Sequence, residues 1–187
     1  MHRLFIAIRP PEPVIDLLLD TMEGVPGLRW QNDEQLHLTL RFVGEVERPL
    51  AEDLAVALGS LRFERFAIRI AGVGRFDHRK RGALWAGVEP RAPLAALAGK
   101  IERICVGVGL ALERRAFHPH ITLARWSRGV GSSLEPFLAA HAALCSEPFL
   151  IDRFTLFESR LGRDGAHHEA VAHYPVATLD RDARTPI

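Results

Sequence analysis

The chain carries little cysteine, almost no net charge and no long apolar run, and each shortage closes a class of protein. Its 187 residues include two cysteines, Cys105 and Cys145. With no C-x-x-C and no dense framework, neither a disulfide scaffold nor a thiolate zinc site is indicated, and both are expected as buried, reduced thiols. Twenty-four Lys and Arg against 23 Asp and Glu leave a formal charge of +1. That balance excludes a protein that coats duplex nucleic acid by bulk charge, so any anion site is local. The longest apolar stretch, Ile104 to Leu112 between Arg103 and Glu113, is far shorter than the roughly 18 residues of a membrane-spanning helix. The opening segment, Met1 to Pro10, has an apolar core too short for a signal peptide and runs into Arg9 and Pro10 rather than a small-residue cleavage site. These features predict a cytoplasmic protein without a membrane association.

What is present is the composition of an ordinary globular domain: 48% hydrophobic and 25% charged residues, which leaves no support for disorder. The length suits one domain of two closely packed lobes over 1–187, with no linker between them. Alternation at Leu4, Ile6 and Ile8 predicts a strand, and Pro11 and Pro13 open a helix with Val14, Leu17, Leu18 and Met22 on one face. A strand over Leu36 to Val43 stops at Gly44, and Leu50, Leu54, Ala57, Leu58 and Leu61 mark a second helix. Phe66, Ile68 and Ile70 begin a strand joined through a basic tip, His78-Arg79-Lys80-Arg81, to another at Ala83 to Val88. The stripe Leu94, Leu97, Ala98, Ile101, Ile104, Cys105 and Val108 predicts a core-facing helix. A strand at His120 to Trp126, a short helix near Leu134 to Leu144, and strands near Phe149 to Ser159 and Glu169 to Val176 come next, before a frayed tail from Asp180. Strands interspersed with single helices give an α+β fold with antiparallel or mixed sheets.

One internal echo carries chemistry. His37-Leu38-Thr39-Leu40 recurs as His120-Ile121-Thr122-Leu123, 83 residues later. On a strand successive side chains point to opposite faces, so each copy sets His and Thr on one face and two apolar residues behind it. If the halves pack about a pseudo-two-fold axis, the two His-Thr pairs face each other across a cleft. Two imidazoles near neutral pKa can serve as acid and base in attack on a phosphodiester, one charged and one neutral. Thr39 and Thr122 can donate to the phosphoryl oxygens as charge develops on them. No metal or other cofactor is required for this scheme. His118 and His120 offer two zinc ligands on one side of the cleft, but the remaining ligands are missing. His167, His168 and His173 lie in a polar stretch and read as surface or hairpin residues.

These motifs resemble the two-histidine phosphoesterase superfamily and, within it, the bacterial and archaeal RNA 2′,3′-cyclic phosphodiesterases, also known as 2′-5′ RNA ligases. The resemblance rests on Arg3-Leu4-Phe5-Ile6-Ala7-Ile8, Leu36-His37-Leu38-Thr39-Leu40-Arg41-Phe42-Val43-Gly44, Leu84-Trp85-Ala86-Gly87-Val88 and Phe117-His118-Pro119-His120-Ile121-Thr122-Leu123-Ala124-Arg125. It implies a bilobed fold of two antiparallel sheets with flanking helices around a central cleft. It also implies hydrolysis of a terminal 2′,3′-cyclic phosphate to a 2′-phosphate, with His37 as the proton donor to the 3′ oxygen and His120 as the proton acceptor from water. Its relatives join cyclic-phosphate ends to 5′-hydroxyl ends with the same histidines. The implied partners are RNA ends or nucleotides carrying a 2′,3′-cyclic phosphate, with no obligate protein partner.

Substrate contacts can be read from parity. Arg41, four residues after His37, falls on the cleft face and suits a phosphate, whereas Arg125, five after His120, falls on the opposite face unless the strand bulges. Phe5 and Trp85 are candidates for stacking on a base, and Phe42 shares the parity of Leu38 and Leu40 and is expected in the core. Two other functions remain open: a phosphodiesterase of small cyclic nucleotides or ADP-ribose cyclic phosphate, and a non-catalytic module that binds nucleotides or RNA ends in the same cleft.

Overall fold

The computed structural model describes residues 1–78, 81–127, 134–162 and 165–176. Apolar alternation builds the strands. β1 (His2–Ile8) is followed by α1 (Glu12–Thr21), β2 (Arg29–Trp30), β3 (Leu38–Val46) and α2 (Arg48–Leu58). Then come β4 (Phe66–His78), β5 (Arg81–Glu89), α3 (Arg91–Gly107), β6 (His120–Trp126) and α4 (Glu135–Ala140), and finally β7 (Phe149–Ile151), β8 (Arg153–Gly162) and β9 (Gly165–Pro175). Prolines open the helices where the first turn has no use for a backbone N–H: Pro13 lies in the first turn of α1, and Pro90 caps α3. The apolar stripe of α3 is buried at Leu94, Leu97, Ala98, Ile101 and Cys105, as its period predicts.

The strands run β7-β4-β5-β6-β3-β1-β8-β9, with β2 beside β6, and the pairings are antiparallel. The two sheets, one on each side of the β3–β6 contact, thus form one curled run with the helices packed against it. Two interleaved repeats generate this order. Each runs strand-helix-strand-helix-strand, β1-α1-β3-α2-β4 and then β5-α3-β6-α4-β8. The last strand of each pairs with the first strand of the other, β4 with β5 and β8 with β1. Neither repeat covers its sheet edges alone; each edge is paired by a strand of the other. Leu18, Leu54, Leu58, Ile70, Leu94 and Leu156 pack into the common core.

Several expectations are corrected. Gly44 does not end its strand: it takes φ +86, a conformation glycine adopts without penalty, and β3 continues to Val46. The run near Phe149 to Ser159 is two strands broken at Asp152. Cys105 is buried, but Cys145 is exposed. Arg79 and Lys80 of the basic tip and the tail from Asp180 lie outside the described residues.

Candidate active site

The middle strands of the two repeats meet at one pairing among the described residues, Leu38 of β3 with Ile121 of β6. Both residues are the apolar position between His and Thr. Continuing this antiparallel register sets His37 across from Thr122 and Thr39 across from His120, which puts the four polar residues on one face of the paired strands. Behind them Leu38, Leu40, Ile121 and Leu123 are all buried. This is the arrangement that period-two alternation of two H-x-T copies requires.

The imidazoles are held alike. His120 Nδ1 lies 2.6 Å from the carbonyl oxygen of His118, two residues back, so Nδ1 carries the proton and Nε2 keeps its lone pair. The backbone of Gln35, also two residues back, acts on the His37 ring in the same sense and raises its pKa. Gln35 is itself fixed by a capping box with Asn32 and by donation from its Nε2 to the Ala166 carbonyl at 2.8 Å. Desolvation lowers the pKa of both rings. His37 falls to about 3, chiefly through burial and then through neighbouring His168, with Arg125 and His120 adding smaller repulsions. His120 is lowered by burial first, against the raising effect of its bond to His118, with His118 and Arg125 lowering it further.

Alternation fails just beyond each motif, and it fails at the same place. Opposite β3, Ile6 pairs with Arg41 and Ala7 with Thr39, leaving Leu40 as a bulge. Opposite β6, Leu84 pairs with Ala124 and Trp85 with Thr122, leaving Leu123 as a bulge. Each bulge reverses the parity of the residues beyond it. Arg125 therefore comes round to the histidines, where its charge acts on both His37 and His120. Partial burial and nearby Arg29 lower its pKa, and among the described residues no carboxylate forms an ion pair with it. Phe42, at the matching position of the first copy, is 48% exposed rather than in the core. Arg41 is instead turned toward α3. Its Nε sits 2.5 Å from Glu102, Nη2 donates to the Ala111 carbonyl at 2.6 Å, and Glu113 lies at 3.7 Å. Arg125 is thus the arginine whose charge acts on the histidines, while Arg41 lines the neighbouring cavity paired with Glu102.

The aromatic residues also divide differently. Phe5 is 4% exposed and wedged between His37 and His168, each 4.8 Å away, and Phe157 at 5.2 Å, so it is a floor under His37 and not a stacking platform. Trp85 is half-buried over Gly74, with His118 against it at 4.9 Å. Phe76, which the sequence did not mark, is 39% exposed and meets His120 edge-on at 4.9 Å. His168 is no surface residue but a half-buried neighbour of His37. His167 and His173 pair with Glu34 and Thr155 away from the histidine pair. Among the described residues no three histidine, cysteine or carboxylate side chains could hold a metal ion.

Beside Thr39 and His120 opens a cavity of about 480 Å³, walled by Phe42, Phe76 and His118 and ending at Arg41 and Glu102. Its size lies within the range of roughly 300–1,000 Å³ usual for small-molecule sites.

Two interleaved strand-helix repeats that curl an antiparallel sheet around one polar cleft define a LigT-like α+β protein. Escherichia coli LigT complexed with 3′-AMP superposes with a TM-score of 0.76 at 23% identity, covering 94% of this chain and 98% of that one. TT0787 of Thermus thermophilus gives 0.74 at 24%, covering 93% and 97%. The chain belongs to the 2′-5′ RNA ligase superfamily, whose family model matches residues 10–163. Among its relatives is an RNA 2′,3′-cyclic phosphodiesterase of Aeropyrum pernix, 43% identical over 104 residues, which are 54% of this chain and 58% of that protein. One of the same name from Geobacillus stearothermophilus is 29% identical over 162 residues, 84% of this chain and 50% of that protein. The match thus spans about half the length of either relative. A third, from Bacillus subtilis, is 26% identical across 88% of this chain and 92% of its own.

Proposed function

We propose that the protein hydrolyses the 2′,3′-cyclic phosphate at RNA ends to a 2′-phosphate, without a metal ion. The observation that carries this reading is the Leu38–Ile121 pairing, which brings two His-Thr pairs together with the backbone two residues behind acting on each ring. Relatives named RNA 2′,3′-cyclic phosphodiesterase support the choice of substrate.

His120, neutral at ordinary pH because burial lowers its pKa, takes a proton from water through Nε2. Water oxygen bonds to phosphorus, the bond from phosphorus to the 3′ oxygen breaks, and His37 delivers a proton to that oxygen. Thr39, Thr122 and Arg125 hold the phosphoryl oxygens as negative charge builds. His37 at about 3 is neutral in the empty site. An anionic phosphate against it favours the charged ring and restores the proton that the step consumes. Ligation is the same displacement with a ribose 5′-hydroxyl in place of water. The cleft charge is local, as the +1 balance of the chain requires.

The decisive experiment incubates the protein and chelator with an oligoribonucleotide ending in 2′,3′-cyclic phosphate and identifies the product by mass spectrometry and phosphatase mapping. A 2′-phosphate is expected, with a bell-shaped pH-rate profile whose two apparent pKa values belong to the coupled pair. His37→Ala and His120→Ala are each expected to lower turnover by roughly 10²–10⁴-fold in a folded protein. A 3′-phosphate would reverse the substrate orientation, and full activity in either variant would sink the mechanism. No turnover of RNA but turnover of small cyclic nucleotides would replace RNA as the substrate.

A further inference from the structure

His168 enters the site from β9, 131 residues after His37 in the chain, and no feature of the H-x-T copies announces it. Its ring meets His37 edge-on, with centroids 5.2 Å apart and planes at 90°. Both rings pack on Phe5, at 4.8 Å each. Nδ1 of His168 is buried with no hydrogen-bond partner, an arrangement that costs stability unless the group has a use. The groups facing His37 are His120 and Arg125 from β6, the backbone of Gln35 from the turn at Asp33–Gln35, and His168 from β9; β1 and β8 supply only Phe5 and Phe157. No carboxylate is among them. Facing His168 are His37, adjacent His167, whose charge disfavours its protonated form, and Glu34, whose charge favours it.

We propose that His168 is a positioning residue for His37: packed edge-on against it with no partner on Nδ1, His168 competes for the one proton the pair can accept, so His37 stays neutral in the empty cleft and takes up its proton together with the anionic phosphate. The proposal rests on the reading of His37 as the proton donor. Two imidazolium ions this close, without a carboxylate between them, disfavour one another, and titrations so coupled belong to the pair. The consequence is a donor that is charged only when a cyclic phosphate is bound and its 3′ oxygen needs a proton on leaving. Repulsion from His168 is the second largest cause, after burial, of the depressed His37 pKa, which agrees with the geometry.

The first readout needs no turnover. Imidazole NMR titration of the empty protein, with His37→Asn to assign the resonance, is expected to show His37 and His168 inflecting together. In His168→Asn, and in His168→Gln should the first variant fail to fold, His37 is expected to titrate as a single site. Its proton affinity should be about tenfold higher, roughly one pH unit. The alkaline limb of the kcat profile should move to higher pH by a similar amount. An unmoved His37 midpoint in the folded variant overturns this proposal and leaves the proposed activity untouched. A raised midpoint with an unmoved rate profile overturns the assignment of His37 as donor, and the proposal with it.

Discussion

At the scale of single residues, the cleft separates cations by what surrounds them. Arg41 is occupied by Glu102, Glu113 and the Ala111 carbonyl, whereas Arg125 stands near both histidines with no acidic partner among the described residues. A guanidinium released from carboxylates is the one with donors to give to a phosphate. Arg125→Ala is therefore expected to lower kcat/KM for the cyclic phosphate by roughly 10–100-fold, the worth of a charge-assisted contact. Arg41→Ala is expected to lower the urea midpoint, because it strands the Glu102 carboxylate while Glu113 keeps Arg115, and the folded variant is expected to keep kcat/KM within about threefold. Steady-state kinetics and urea titration of both variants check the contrast, and a larger kinetic loss at Arg41 would restore the parity reading of that residue.

At the scale of elements, the bulges at Leu40 and Leu123 shape the cleft in a way that regular strands could not. A flat pleat would bury Phe42 and point Arg125 away; one extra residue in each strand turns both toward the cleft. The β4–β5 hairpin supports the other wall, because Gly74 leaves room for Trp85 to lie across β4 below Phe76 and His118. A Cβ at Gly74 would stand 2.3 Å from the Trp85 ring, which is rigid and cannot bend aside. Gly74→Ala is expected to destabilise the fold by about 1–3 kcal/mol through overpacking, measured by urea denaturation. It should also reduce kcat, since Trp85 and Phe76 both contact the His118–His120 corner.

At the scale of the whole molecule, the buried histidines make stability depend on pH. His37 ionises near 6.5 when unfolded and at about 3 when folded, and His118, His120 and His168 shift in the same direction. Between those values the unfolded chain binds more protons. The stabilisation is therefore complete above about 6.5 and is lost progressively as pH falls toward 3. His37→Phe removes one such proton and is expected to flatten the decline by up to about 1 kcal/mol per pH unit below that midpoint. Urea titrations of both proteins from neutral to acidic pH measure it, and parallel curves would show that His37 is not buried neutral.

How far the sequence alone reached can be seen in particular residues. Repetition of H-x-T, with an apolar residue between the polar ones, determined that His37 with Thr39 and His120 with Thr122 share a face, because side chains alternate on any strand. The stripe from Leu94 to Cys105 determined a buried helix face by its period. Both depend on local geometry that every strand or helix shares. Tertiary structure decided the rest: which residue bulges, since a bulge is defined by the partner strand; where Arg41 and Arg125 point, which is set by those bulges; and that His168 from β9 stands against His37 from the other end of the chain. Such placements are fixed by pairing between distant strands, and no short-range pattern encodes them.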